Sequence, residues 1–195
     1  MHDDFGAINT VQVKRKISVF TYKLPDHENL NRQLLTLIKQ YREKYPEKEE
    51  HTNLRAWRSD YESHIKEDRF DYLIQKVCEV ASLITKHHED YKAEVDYLPS
   101  GFWVGQYDKG NYARKHHHAP NDFACVYYVD VDEDSAPIIF EDDLIVKPEN
   151  GMIVIFPGFL NHRVAHTQSP RTIAAMNLIK RRKDQSKKMV GVSYV

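Results

Sequence analysis

The sequence predicts an α+β chain in which helices lead and a β-sandwich or jelly roll follows. Three observations carry this. Before residue 99 the apolar residues recur mostly at helical spacing. After it they gather in short runs, evenly spaced and separated by turn residues. Between the two regimes Pro99-Ser100-Gly101 marks a break. With 195 residues the expectation is a single domain, 1–195. Residues 1–99 are read as a helical and strand support and 100–180 as the β core.

Val11, Val13, Ile17 and Val19 alternate with polar residues, which predicts a half-exposed strand. Asp26 offers a helix cap. Leu30, Leu34, Leu37, Ile38 and Tyr41 then share one helical face, and Pro46 stops the helix. Residues 46–69 are polar and irregular, with Trp57 as an anchor and the whole segment as a lid candidate. Leu73, Val77, Val80, Ala81 and Ile84 define a second amphipathic helix, ending near His87-His88. Strands are predicted over 102–107, 124–129, 137–140, 152–156 and 172–179. Asp108-Lys109-Gly110-Asn111, Asp130–Ser135 and Glu149-Asn150-Gly151 read as turns.

Bulk composition excludes more than it selects. The net charge of -1 gives no global field for nucleic acid or an anionic membrane. The basic residues Lys180–Lys183 with Lys187-Lys188 read as a solvated end segment. No apolar run approaches a membrane span, and the first residues lack the layout of a signal peptide. Cys78 and Cys125 sit in apolar patterns and read as buried free thiols, which fits a reducing cytoplasm.

Histidine is the exception, with 11 residues. In an extended chain the side chains of His116 and His118 point to one face while His117 points away. His162 follows an apolar run and a Pro-Gly turn, where a strand end reaches a barrel mouth. Three imidazoles suit iron, zinc, copper or nickel. Arg171 opens the last long strand, and its guanidinium matches a carboxylate in two places. Together these four groups describe a mononuclear metal site with positions open for an anionic co-substrate. Two alternatives stand beside that reading. The His116–His118 run can be a solvated loop, or Asp122, in the Pro120-Asn121-Asp122 turn, can supply a carboxylate ligand in place of His118.

The stretch Trp103…Lys109-Gly110-Asn111-Tyr112…His116-His117-His118…Val126-Tyr127-Tyr128, with Lys147-Pro148…Gly151…Ile155-Phe156-Pro157…His162…Arg171…Asn177, resembles the iron(II)/2-oxoglutarate oxygenase superfamily. Within it the chain is most similar to the prolyl-4-hydroxylase-like branch. There it resembles a small subfamily, common in marine phages and bacteria, with His-x-His in place of His-x-Asp. The resemblance covers about residues 100–180. It implies a double-stranded β-helix, a cupin-like jelly roll, with supporting N-terminal helices. It also implies His116, His118 and His162 as ligands of Fe(II), and Arg171 and Tyr107 on the 2-oxoglutarate 5-carboxylate. Asn177 would face the same pocket. The implied reaction consumes dioxygen and 2-oxoglutarate, gives succinate, and oxidises a C–H bond of a peptide or small metabolite. Cytoplasmic location follows, the host cytoplasm if the chain is phage-encoded. His118, Cys125 and Glu141-Asp142-Asp143 depart from the common pattern, which has an acid, a glycine and Asp-Pro-Arg there.

The three-histidine set has an electrostatic consequence. Two imidazoles and a carboxylate leave a ferrous site at a charge of about +1, whereas three neutral imidazoles leave it at about +2. The rival readings are a cupin-like metalloenzyme that keeps the histidines without needing Arg171, and a jelly-roll binding module with solvated histidines.

Overall fold

The structure, a computed structural model, describes residues 16–46, 53–89 and 91–182. Strand β1 (Phe20–Lys23) leads into helix α1 (His27–Lys44). Two short strands follow, β2 (Leu54–Arg55) and β3 (Trp57–Arg58), and then helices α2 (Ser63–Lys66) and α3 (Asp71–His87). The rest is β: β4 (Val95–Tyr107), β5 (Tyr112–His116), β6 (Phe123–Asp130), β7 (Ile138–Phe140), β8 (Ile145–Val146), β9 (Met152–Pro157), β10 (His162–Val164) and β11 (Arg171–Arg182). The larger sheet runs β1-β9-β6-β11-β4-β3 and the smaller β2-β5-β10-β7-β8. Strand pairing is antiparallel throughout both.

Three layers result, because the larger sheet is covered on both faces. On β6, Cys125, Tyr127 and Val129 pack toward the helices, while Ala124, Val126 and Tyr128 pack between the sheets. The same division separates Ile153 and Ile155 from Val154 and Phe156 on β9, and Ala174 and Met176 from Ile173 and Ala175 on β11. Burial on both faces is why these strands read as continuous apolar runs rather than alternating ones. The helices meet them with one apolar stripe each: Leu34, Leu37, Ile38 and Tyr41 from α1, and Leu73, Val77, Val80 and Ala81 from α3.

Several expectations need correction. The strand predicted from Val11, Val13, Ile17 and Val19 appears later, at β1; residues 16–19 precede it, and residues 1–15 lie outside the described residues. Asp26 does not cap α1: its backbone is left-handed, φ 52°, and its side chain makes no cap hydrogen bond. Pro99-Ser100-Gly101 is no break but a bulge inside β4, where the pairing with β11 shifts at Asn177/Leu178. A proline is tolerated there because β3 pairs with β4 only at Gly105 and Gln106, leaving the Pro99 stretch at a sheet edge. The 46–69 segment is less irregular than its composition suggests, since β2, β3 and α2 lie within it. Trp57 faces the helices, 2% exposed, with the Arg42 guanidinium 5.3 Å from its ring centroid, so it anchors the segment and covers no site. Lys180–Arg182 are not a solvated tail but the end of β11, paired with Tyr97–Val95; residues 183–195 lie outside the described residues.

Candidate metal centre and co-substrate pocket

The space between the sheets ends at a cluster of three histidines. His116 closes β5 and His162 opens β10, and the two stand directly opposite one another in the strand pairing. His118 lies beyond the end of β5, so strand geometry alone does not aim it. A stitched turn does. His118 N–H donates to Gly158 C=O at 2.6 Å, and Gly158 N–H to Asp122 C=O at 3.1 Å. Asn121 Nδ2 and its backbone N–H both donate to His118 C=O, at 2.7 and 3.0 Å. Gly158 is required for this approach: a Cβ there would lie 2.1 Å from the Asn121 carbonyl oxygen.

The ring centroids of His116 and His162 are 4.3 Å apart, and His118 is 5.1 Å from each. One ligand atom from each ring falls within 4.8 Å of the others. The tautomers are arranged for this. His116 Nδ1 lies 2.7 Å from Arg114 C=O and His162 Nδ1 3.1 Å from Leu160 C=O. An Nδ1–H held by a carbonyl leaves the Nε2 lone pair for a metal, the usual outer support of a ligating histidine. Burial pushes the His118 and His162 pKa values down to about 3, helped by the neighbouring imidazoles, and lowers that of His116. All three rings are therefore neutral and able to ligate near pH 7. His117 points to solvent and accepts from Ala119 N–H at 3.2 Å.

Asp122 does not join them. Its carboxylate accepts from Lys180 N–H at 2.8 Å and meets Lys180 Nζ at 3.0 Å. Among the described residues the three histidines form the one such cluster of candidate ligands.

The same pocket is lined by Arg171, 3% exposed, on the register line of β11 and β4 opposite Tyr107. Its guanidinium carbon sits 4.9 Å from the Tyr107 ring centroid and 5.3 Å from that of Tyr128. One arm, Nη1, donates to Ala136 C=O. Its Nε has no protein partner among the described residues, nor does the buried hydroxyl of Tyr128 beside it. Burial raises the pKa of both tyrosines, partly offset by the Arg171 charge, so both phenols stay protonated donors. Unpaired buried donors next to a cation cost stability unless something pairs with them, and a carboxylate fits that set.

Asn177 shares the Arg171 face of β11 but lies toward the histidines, beside His118, with its Oδ1 buried and lacking a hydrogen bond among the described residues. Three pocket residues went unread in the sequence. Tyr128 is legible only once the inward parity of β6 is known. Trp103 stacks on His118, with centroids 5.8 Å apart and planes 20° from parallel. Arg58 lines the pocket from the segment read as irregular, and no periodicity in a two-residue strand could have marked it.

No family model matches the sequence, and no curated protein does. Solved structures do match. A Pseudomonas putida prolyl-4-hydroxylase aligns with TM-score 0.63 and 16% identity over 85% of this chain and 94% of its own. A Trichoplax adhaerens prolyl hydroxylase, in complex with a hypoxia-inducible-factor peptide fragment, gives 0.62 and 11% over 83% of each. SnoN, an α-ketoglutarate-dependent non-heme epimerase from nogalamycin biosynthesis, gives 0.60 and 11% over 84% and 78%. The chain therefore has the jelly-roll fold of these proteins, with helices backing the larger sheet.

Proposed function

We propose that this chain is an iron(II)- and 2-oxoglutarate-dependent dioxygenase that hydroxylates a C–H bond of a peptide or small-molecule substrate. The observation that carries the reading is a neutral three-imidazole cluster and a buried, partly unpaired arginine in the wall of one pocket. The proline hydroxylases and the epimerase of the same fold support the co-substrate. The peptide bound to one of them supports a peptide substrate.

His116, His118 and His162 would hold the iron through Nε2. Bound there, iron with dioxygen and 2-oxoglutarate supplies the oxidising chemistry, and succinate and carbon dioxide are the co-products. Everything else is positioning by the chain. Arg171 pairs with the far carboxylate of 2-oxoglutarate through its unused Nε edge. The Tyr128 hydroxyl donates to the same group, and Tyr107 supports the guanidinium from below. Val126, Phe156 and Ile173 line the pocket and keep water from it. Arg171 and its partners separate this reading from a three-histidine metalloenzyme that does not use 2-oxoglutarate, since such an enzyme has no need of a buried cation there. No helix among the described residues is long and apolar enough to cross a membrane, and a cytoplasmic location completes the proposal.

The test is succinate formation from 2-oxoglutarate with ferrous iron in air, without added substrate. Wild-type protein should turn over slowly and His162→Ala not at all. Wild-type protein that binds iron yet forms no succinate in the presence of any candidate substrate contradicts the proposal.

A further inference from the structure

We propose that Arg58 anchors a carboxylate of the prime substrate, so that the substrate is an organic anion held across Trp103 from the histidine cluster. The inference rests on the oxygenase reading above and adds the charge of the substrate to it.

Placement comes first. Arg58 pairs with Gly105 on β4, and the side chains of Trp103 and Tyr107 flank that position on the face between the sheets. Arg58 is 4% exposed and lines the pocket that holds the histidines and Arg171. Its guanidinium carbon lies 3.8 Å from the Tyr61 ring centroid and 5.7 Å from that of Trp103. Tyr61 and Trp103 themselves meet edge to face at 5.0 Å. Trp103 stacks in turn on His118. The cation is thus fixed in place, one aromatic ring away from a candidate metal ligand. Stacking engages the face of a guanidinium, while its N–H donors lie in the plane, where they can fork a carboxylate.

Charge comes second, and it does not depend on Arg58. Three neutral imidazoles leave a ferrous ion at about +2, and 2-oxoglutarate brings about −2. Arg171 adds one more positive charge, so the loaded centre is net positive by about one, where a site with one carboxylate ligand would be neutral. Among the described residues lining the pocket there is no acidic side chain. A positive, partly water-excluded pocket favours an anion and disfavours a cation. Arg58 and Arg171 divide the work by position: Arg171 is committed at the Ala136–Tyr128 end, and Arg58 at the Tyr61–Trp103 end.

Calorimetric titration of protein loaded with Zn(II), which is redox-inert, reads binding without turnover. 2-Oxoglutarate is added first. Matched pairs then follow: N-acetyl amino acids and their carboxamides, spanning apolar, polar and proline side chains. At least one acid should bind wild-type protein tenfold or more tightly than its amide, the range expected for a charge-assisted contact, about ten- to a hundredfold. Arg58→Gln should erase the preference and Arg58→Lys keep part of it, with 2-oxoglutarate affinity within about threefold of wild type in both. That retained affinity also reports an intact fold, and the acid-against-amide comparison on wild-type protein needs no variant at all. If 2-oxoglutarate fails to bind wild-type protein, the oxygenase reading falls and takes this inference with it. If 2-oxoglutarate binds but no pair shows a preference for the acid, or the preference survives in Arg58→Gln, only the present inference is overturned. Loss of 2-oxoglutarate binding in folded Arg58→Gln gives Arg58 to the co-substrate and overturns it equally.

Discussion

Replacing Gly158 by alanine tests how His118 is aimed. The added Cβ would sit 2.1 Å from the Asn121 carbonyl oxygen and 2.9 Å from its carbon, both backbone atoms that no rotamer can move. Ordinary contact begins near 3.4 Å, so the 118–122 turn must retreat by roughly 1 Å. That turn carries His118, and Gly158 C=O is the acceptor for its N–H at 2.6 Å. Metal–nitrogen distances tolerate only about 0.2 Å, and a site works only if its ligands hold within about 0.5 Å. A shift of that size should detach or misplace one of three ligands. Metal affinity should fall about ten- to a hundredfold, the scale on which lost support of a ligand is felt. Overpacking should cost about 1–3 kcal/mol of stability. Competitive Co(II) titration against a chelator reads the first quantity and thermal unfolding of the metal-free protein the second. Affinity within twofold of wild type, with an unchanged melting temperature, would refute the reasoning that this glycine sets the ligand.

Other outcomes follow from the same geometry. Tyr128→Phe removes a buried hydroxyl that has no partner, so the metal-free protein should be unchanged or stabilised by about 1 kcal/mol, while 2-oxoglutarate binds several-fold more weakly. Equal loss of stability and co-substrate affinity would place that hydroxyl in the core's support instead. The imidazoles of His118 and His162 have folded-state pKa values near 3 against about 6.5 unfolded, so below pH 6.5 the unfolded chain binds more protons. Their contribution is complete above pH 6.5 and is lost as pH falls toward 3, at up to about 1.4 kcal/mol per pH unit for each. The melting temperature of metal-free protein should therefore drop between pH 7 and pH 5, before most carboxylates titrate; a flat profile contradicts this. Burial raises the Cys78 thiol to about 11 and Cys125 well above its usual value, so neither should react readily with a thiol reagent at pH 7 until the protein unfolds. Stoichiometric labelling of native protein within minutes would contradict that.

Much of this architecture is legible in the sequence where one residue type repeats at one period. The stripes of α1 and α3 and the apolar runs of β6 and β9 are of that kind. What escaped depends on pairing at long range. Pro99 reads as a break because its tolerance comes from an open edge of β4, which no local pattern records. Asp26 has the chemistry of a cap, but the approach of the chain from β1 holds it left-handed. For the candidate site, the three histidines and Arg171 stand out because such residues are rare in apolar strands. Arg58 and Trp103 do not, since only the pairing of β3 with β4 turns them toward the pocket. Gly158 is one of 7 glycines, and its role appears only when Asn121 is seen against it.

The central claim, a histidine-bound iron facing an arginine-bound 2-oxo acid, is tested most directly by anaerobic titration of the ferrous protein with 2-oxoglutarate, followed in the visible. Wild-type protein should develop a weak charge-transfer band that saturates, and Arg171→Ala should need far more co-substrate to reach it. A ferrous protein that holds its iron and shows no band at any 2-oxoglutarate concentration would contradict the account.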